Sequence, residues 1–361
     1  MRAQPHQPKS TTARALTYTA TQAARVAFYG AHYLAARWLA RENFAAVEEP
    51  AHPLPSILDT IAAMRDLFLQ DWRNVQAGLY PMPLDIAGEM QRAGSSLRFL
   101  RDIPRVIDRQ KRKAHNEVRR SSNGLPRYYQ RNFHFQTDGY LSKDSARLYE
   151  FQVQALFAGT ADAMRRRAYV PIAHFLERSK EGAPILLDIG AGTGEFLAFV
   201  KSAQPKLKTI ALDLSKPYLA RAKHALGKYR DVEFIAAPAE AMPLPDKSVD
   251  VAVSIFLFHE LPPKVRAAAA KEIARVLKPG GLFVLADTIQ YGDAPEFEGL
   301  IDVFPSLLHE PYYESYTRTD LDGLFGGVGL KRTATDIAYL TKIACFQKSA
   351  RSPRRTPRKK P

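Results

Sequence analysis

The 361-residue sequence predicts an α/β protein built on a doubly wound, mostly parallel sheet and preceded by a mostly α-helical region. Three observations predict it. From residue 185 onward, short apolar runs alternate with helix-compatible segments, and right-handed crossovers between parallel strands put such helices on both faces of a sheet. The first run, Ile185 to Ile189, ends in three glycines spaced two apart, Gly190, Gly192 and Gly194, which is the pattern of a strand turning sharply into a helix. The last two apolar runs, near 329–337 and 338–348, leave no room for a helix between them and predict a hairpin.

Residues 1–120 read as mostly helical, without repeats. In the first helix Leu16, Ala20, Ala23, Ala27, Ala31, Leu34 and Trp38 recur at spacings of three and four, predicting a packed face. Residues 1–41 hold six basic and no acidic side chains, so an organellar transit segment is the alternative reading. Ser56 with Asp59 predicts a helix start, followed by a stripe of Ile57, Leu58, Ile61, Met64, Leu67, Phe68, Trp72 and Val75 that ends at Gly78. Pro81, Pro83 and Pro104 are expected to break the segments after it. A loop at residues 121–126 sets the expected division: a helical region over 1–125, a catalytic domain over 126–348 and a basic tail over 349–361. A helix is expected from Ser142 to about Phe157 and another from about Thr160, kinked or split at Pro171. Strands follow near 185–190, 208–214, 232–237, 249–256 and 281–288, with helices near 195–203, 216–226 and 263–277.

The formal charge of +15 is unevenly spread. Residues 1–130 carry 19 basic against 11 acidic side chains, residues 131–348 carry 27 against 26, and residues 349–361 carry six against none. An enzyme acting on nucleic acid normally needs basic surface beside its site, so the balance over 131–348 argues for a small-molecule partner. The tail, with six charges and three prolines, cannot bury a core and predicts a solvated segment able to touch an anionic surface weakly. No apolar run approaches the ~20 residues of a membrane-spanning helix. The single cysteine, Cys345, excludes intramolecular disulfides and fits a reducing, cytoplasmic setting.

The glycine loop narrows the ligand. Dinucleotide sites use G-x-G-x-x-G, whereas this chain has Asp188-x-Gly190-x-Gly192-x-Gly194-Glu195. Carboxylates repel a diphosphate but hold an ammonium or sulfonium group. Asp213 closes the second strand, 23 positions after Gly190, where an acid can bind a ribose diol. Amino acid, sulfonium and ribose together describe S-adenosylmethionine. Four ordered blocks carry a resemblance: Leu187-Asp-Ile-Gly-Ala-Gly-Thr-Gly194, Ala211-Leu-Asp-Leu-Ser215, Ala239-Glu-Ala-Met-Pro-Leu-Pro-Asp-Lys-Ser-Val-Asp-Val-Ala-Val-Ser254 and Leu277-Lys-Pro-Gly-Gly-Leu-Phe-Val-Leu-Ala286. With them the chain resembles the class I S-adenosylmethionine-dependent methyltransferases, and most the type 11 subgroup that includes the ubiquinone/menaquinone C-methyltransferases. The resemblance implies a Rossmann-like sheet with one antiparallel edge strand. It implies that Asp188, Gly190, Ala191, Gly192 and Gly194 cradle the methionine part of S-adenosylmethionine, and that Asp213 takes the ribose. Leu214, Ala239 and Glu240 would sit beside the adenine, with Ser254 at the end of the fourth strand. Many relatives carry Asp before the Ala-Glu pair; Pro238 stands there instead, at a cost of about 1 kcal/mol for one lost hydrogen bond.

Methyl transfer from a sulfonium needs alignment and a deprotonated nucleophile. His259, with Glu260, follows the fourth strand and is a candidate base; its alternative is a structural role at the strand end. Two aromatic segments, Tyr128 to Tyr140 and His309 to Tyr316, supply the candidates His134, Tyr140, His309 and Tyr313, with core packing as their alternative role. The expected activity is transfer to a small, aromatic or lipid-like acceptor, without a metal. The alternatives are an RNA or DNA methyltransferase that uses the basic arm and tail, and a non-catalytic S-adenosylmethionine-binding protein.

Overall fold

A computed structural model describes residues 11–42, 49–118, 124–179 and 182–350. Residues 1–10 of the transit-like segment, Arg119 and Arg120, the first half of the 121–126 loop and tail residues 351–361 lie outside the described residues.

Seven strands form one sheet: β1 (Ile185–Ile189), β2 (Lys208–Asp213), β3 (Val232–Ala236), β4 (Val249–Ile255), β5 (Leu277–Thr288), β6 (Leu330–Ala338) and β7 (Thr341–Lys348). Their order is β3-β2-β1-β4-β5-β7-β6. The first five are parallel, and β7 runs antiparallel between β5 and β6. The strand order reverses between β1 and β4, which opens a crevice beyond the carboxyl ends of the strands there. β5 starts four residues before the expected position, directly where the preceding helix ends at Val276.

Alternation along the strands explains the two-faced core. Leu186, Val251, Val253, Val284 and Ala286 pack on one face, while Leu187, Ile189, Ala252, Phe283 and Leu285 pack on the other. Burial on both faces is why these strands read as continuous apolar runs. The first face is covered by helices α6 (Ala161–Arg167), α7 (Tyr169–Arg178) and α8 (Glu195–Ala203), the second by α10 (Pro263–Val276). α9 (Lys216–Leu226) packs on β2 and β3.

The N-terminal region supplies α1 (Thr11–Leu39), α2 (Ile57–Gln76), α3 (Ile86–Ala93) and α4 (Ser96–Lys111), and α5 (Lys143–Leu156) follows. Leu67, Val75 and Tyr80 belong to the same apolar cluster as β1 and α8, so the helical region shares the core of the sheet. Ser56 caps α2 through a reciprocal capping box with Asp59, as the sequence predicts.

Several expectations need correction. α1 forms, but its predicted packed stripe faces outward: Leu16 is 66%, Leu34 64% and Trp38 64% exposed. Its inner face is Tyr18, Gln22 and Tyr29, with Arg25 paired to Asp162 at 2.8 Å. Polar and aromatic side chains win that face because buried counterparts await them. Ile57, Leu58 and Ile61 of the α2 stripe are also exposed, and only its C-terminal half is buried. Pro104 lies inside α4 without ending it. Its face is solvent-exposed, so water can satisfy the carbonyl that proline leaves without a partner. The helix from 160 divides at Ala168, before Pro171, which occupies the first turn of α7, where a missing N–H costs nothing.

Candidate functional site

The glycine loop leaves β1 with three left-handed residues: Gly190 (φ 77°), Gly192 (φ 55°) and Gly194 (φ 83°). Each has a different reason to lack a side chain. A Cβ on Gly190 would come within 3.1 Å of Leu257, one on Gly194 would lie 2.9 Å from the Ala222 Cβ, and one on Gly192 would project into open space. Gly194 therefore lets α8 approach α9, while Gly192 keeps backbone open towards a ligand. Gly194→Ala is expected to lose about 1–3 kcal/mol of folding stability, and Gly192→Ala only the left-handed penalty of about 1–2 kcal/mol. Urea midpoints of the two variants compare them; equal losses would contradict the packing role of Gly194.

Asp213 ends β2 beside this loop. Its Oδ2 accepts the Gly192 N–H at 2.8 Å and its Oδ1 accepts the Ser215 N–H at 2.7 Å. Burial pushes its carboxyl up to about 6, although these N–H donors pull the other way. Asp188 is buried in β1, where burial and then the neighbouring Asp213 push it up to about 8.

A cleft opens at this point. Its walls include Gly190, Gly192, Asp213, Leu214, Pro238 and Ala239, together with the rings of Tyr128, Tyr129, Phe133, Tyr140, Tyr149 and Tyr218. The structure thus brings together five of the ten expected donor-binding residues as cleft wall. The others stand behind it. Asp188 and Ser254 are buried within the sheet, and Gly194 packs on α9. Ala191 packs against the apolar core, and Glu240 accepts the Tyr128 hydroxyl at 2.8 Å. Glu195 does not turn to the cleft; its Oε2 accepts from Arg92 of α3 at 3.0 Å. Behind the loop, Thr193 donates to Glu150, whose other oxygen accepts from Arg165 at 2.7 Å.

At the end of β4 a short turn, Phe258–Glu260, carries His259 and Glu260. Asp287, near the end of β5, accepts the Phe258 N–H at 2.8 Å and lies 2.6 Å from His259 Nδ1. Burial alone would lower the His259 pKa, but Asp287 and Glu260 outweigh it and hold the imidazole above its ordinary value. Tyr313 is buried, shares a 2.9 Å hydrogen bond with Thr288 and meets the His259 ring edge-on at 6.0 Å. His134 Nε2 lies 3.0 Å from Glu310 and 3.7 Å from Glu260. Tyr140 donates to Glu260 at 2.6 Å, and His309 stacks on His115 at 4.2 Å. The upstream and downstream aromatic segments therefore converge on Glu260, at the edge of the cleft. None of His134, His259 and Tyr313 forms part of the cleft wall itself.

Sequence reasoning missed Asp287, Glu310 and Arg266. Arg266 is buried and donates to the Phe258 and Tyr312 carbonyls, which locks the downstream segment over the 258–260 turn. Asp287 had a signal: like Asp188 and Asp213, it is an acid near the carboxyl end of a strand.

The sheet order places the glycine cleft at the switch point of a doubly wound α/β sheet, where such folds hold their ligands. Residues 187–285 match the family described as methyltransferase domain. The chain is 36% identical over 115 residues to a malonyl-[acyl-carrier protein] O-methyltransferase of Marinomonas, covering 32% of this chain and 41% of that one. It is 33% identical over 123 residues to the ubiquinone/menaquinone biosynthesis C-methyltransferase UbiE of Methylobacterium nodulans, covering 33% and 47%. The chain thus spans less than half the length of these curated relatives. A SAM dependent methyltransferase from Aquifex aeolicus superposes with a TM-score of 0.38 at 21% identity, covering 51% of this chain and 92% of that one. No helix among the described residues is long and apolar enough to cross a membrane.

Proposed function

We propose that the chain binds S-adenosylmethionine in the glycine-loop cleft and transfers its methyl group to a small-molecule acceptor. The observation that carries this is Asp213: its carboxylate tethers the open Gly192 backbone while lining the same cleft. In this reading the 190–194 loop takes the methionine part, Asp213 the ribose, and Leu214 and Ala239 the adenine, with Asp188 and Glu240 supporting from behind. The donor supplies a methyl carbon bearing a sulfonium leaving group. The acceptor's lone pair forms the new bond to that carbon as the carbon–sulfur bond breaks, its electrons returning to sulfur. Asp287 holds His259 through Nδ1, which leaves Nε2 to take the acceptor's proton. His134 stands behind Glu260 and Tyr313 behind His259, positioning groups for the acceptor side, and the tyrosine-rich lining of the cleft excludes water and favours a planar or lipid-like molecule. The charge balance over residues 131–348 supports a small molecule over a nucleic acid. We read 126–348 as the catalytic domain, 1–125 as a helical region that buttresses its donor loop, and a cytoplasmic setting as the one that fits the buried Cys345 thiol.

Calorimetry with S-adenosylhomocysteine tests the donor site. Saturable binding is expected, weakened about 10- to 100-fold in Asp213→Ala, as loss of a charged hydrogen-bond acceptor implies. No heat with this ligand, or retention of NADH instead, would overturn the reading. Methyl-labelled donor offered to metabolite extract and to RNA and DNA tests the acceptor; label found only in nucleic acid would refute a small-molecule substrate.

A further inference from the structure

We infer that His134, Glu260 and Glu310 form a binding site for one divalent transition-metal ion at the acceptor side of the cleft. The three side chains come from separate parts of the chain: the 133–135 turn, the 258–260 turn and the segment after α11 (Glu298–Leu308). One ligand atom from each lies within 4.8 Å of the other two, with His134 Nε2 3.0 Å from Glu310 Oε1 and 3.7 Å from Glu260 Oε1. An ion with ligand bonds of about 2.0–2.2 Å has neighbouring ligands roughly this far apart.

The second observation is Glu310 itself. Its side chain is fully buried, neither carboxylate oxygen receives a well-formed hydrogen bond, and the His134 imidazole, 3.0 Å from Oε1, is the cation it faces among the described residues. A buried carboxylate without hydrogen-bond donors is costly, and here one imidazole faces two carboxylates, so a metal ion shared by all three would compensate the remaining charge. Asp287 adds negative charge nearby but is already committed to His259 and to backbone N–H groups. The backbone is also held in an unusual state on both sides of the cluster: His134 (φ 55°) and His309 (φ 48°), the residue before Glu310, are left-handed non-glycine residues. Such conformations persist where surrounding structure imposes them, and they gather at functional sites.

One imidazole and two carboxylates make a donor set suited to Mn²⁺, Fe²⁺, Co²⁺ or Zn²⁺. Tyr140 donates to Glu260 from outside the cluster, the arrangement that orients a ligating carboxylate. Three protein ligands leave positions open, and Glu260 also lines the cleft. An acceptor's hydroxyl or carbonyl oxygen would occupy an open position. That last statement rests on the methyl-transfer reading; ion binding does not.

The test uses the full chain, stripped of metal and titrated with Mn²⁺, with free ion followed by electron paramagnetic resonance, and with Co²⁺, followed by its visible absorption. One ion per chain is expected, with ligand-field bands in the Co²⁺ form. Glu310→Gln should weaken binding at least about 100-fold, the upper end of what losing even an outer-shell partner costs. His134→Gln should do the same, and it serves should Glu310→Gln fail to fold by circular dichroism. Absence of binding at millimolar Mn²⁺ and Co²⁺ in a chain that still binds S-adenosylhomocysteine would overturn the metal site alone, and so would unchanged affinity in folded variants. It would leave the His134 imidazole as the counter-charge that the two carboxylates face. Ion binding without S-adenosylhomocysteine binding would instead sink the methyl-transfer reading.

Discussion

Asp71→Ala is expected to lower folding stability by about 3–5 kcal/mol, the cost of stranding a buried charge. Asp71 of α2 accepts two N–H bonds from Arg166 of α6, at 2.8 and 2.7 Å. It also accepts the hydroxyls of Tyr18 from α1, at 2.6 Å, and Tyr80, at 2.7 Å. Both charged partners are nearly fully buried. Removing the carboxylate leaves a buried guanidinium without its partner and two phenols with only longer contacts, to the Phe68 carbonyl at 3.2 Å and the residue-71 carbonyl at 3.4 Å. Asp71→Asn keeps the volume and one acceptor oxygen, so its loss should be smaller. Urea midpoints at constant slope measure both. A loss below about 1 kcal/mol for the alanine variant would place Asp71 outside the structural core of the helical region.

The affinity for S-adenosylmethionine is expected to rise with pH, approaching ten-fold per unit between about pH 5.5 and 7.5. Burial and Asp213 push the Asp188 carboxyl up to about 8, so the ligand-free chain carries it protonated at neutral pH. In the proposed complex the donor's ammonium favours the ionised form, so binding releases a proton and tightens as protons become scarce. Below about 7.5 the donor's own amine, with an ordinary value near 7.7–8.0, stays charged and does not reverse the trend. The sign for stability is the opposite. A carboxyl whose folded value lies above its unfolded value opposes folding increasingly as pH rises from about 4 to about 8. Asp188→Asn should therefore bind the donor weakly, with a profile that is flat above about pH 7, where Asp213 is ionised, and unfold at higher urea than the parent at pH 8. Calorimetry across buffers of different ionisation enthalpy reads the released proton directly. A pH-independent affinity in the parent chain would remove Asp188 from the donor site.

Local signals made much of the sheet legible. Ile185 to Ile189 is an apolar run closed by glycine, and Ser56 with Asp59 is a complete capping instruction within four residues. The helices Glu195–Ala203 and Lys216–Leu226 fall where periodicity puts them. What escaped prediction depends on partners far along the chain. The inner face of α1 is set by Tyr18 meeting Asp71, 53 positions on, and by Arg25 meeting Asp162, 137 positions on. Hydropathy has no access to such pairings and chose the alanine and leucine side. Glu310 is similar: nothing beside it announces that His134 lies 3.0 Å away. Pro104 misled for a different reason: Leu100 and Pro104 are exposed, so water can satisfy the carbonyl that the missing N–H leaves free and the helix continues.

The inverted first helix has a practical corollary for anyone redesigning the chain. Mutational tolerance along α1 runs against its oiliness: Leu16, Leu34 and Trp38 can be made hydrophilic without touching the interior, because they contribute little to it. Tyr18, Gln22 and Arg25, which a solubility-minded engineer would leave for the surface, are the positions that anchor the helix to the rest of the molecule.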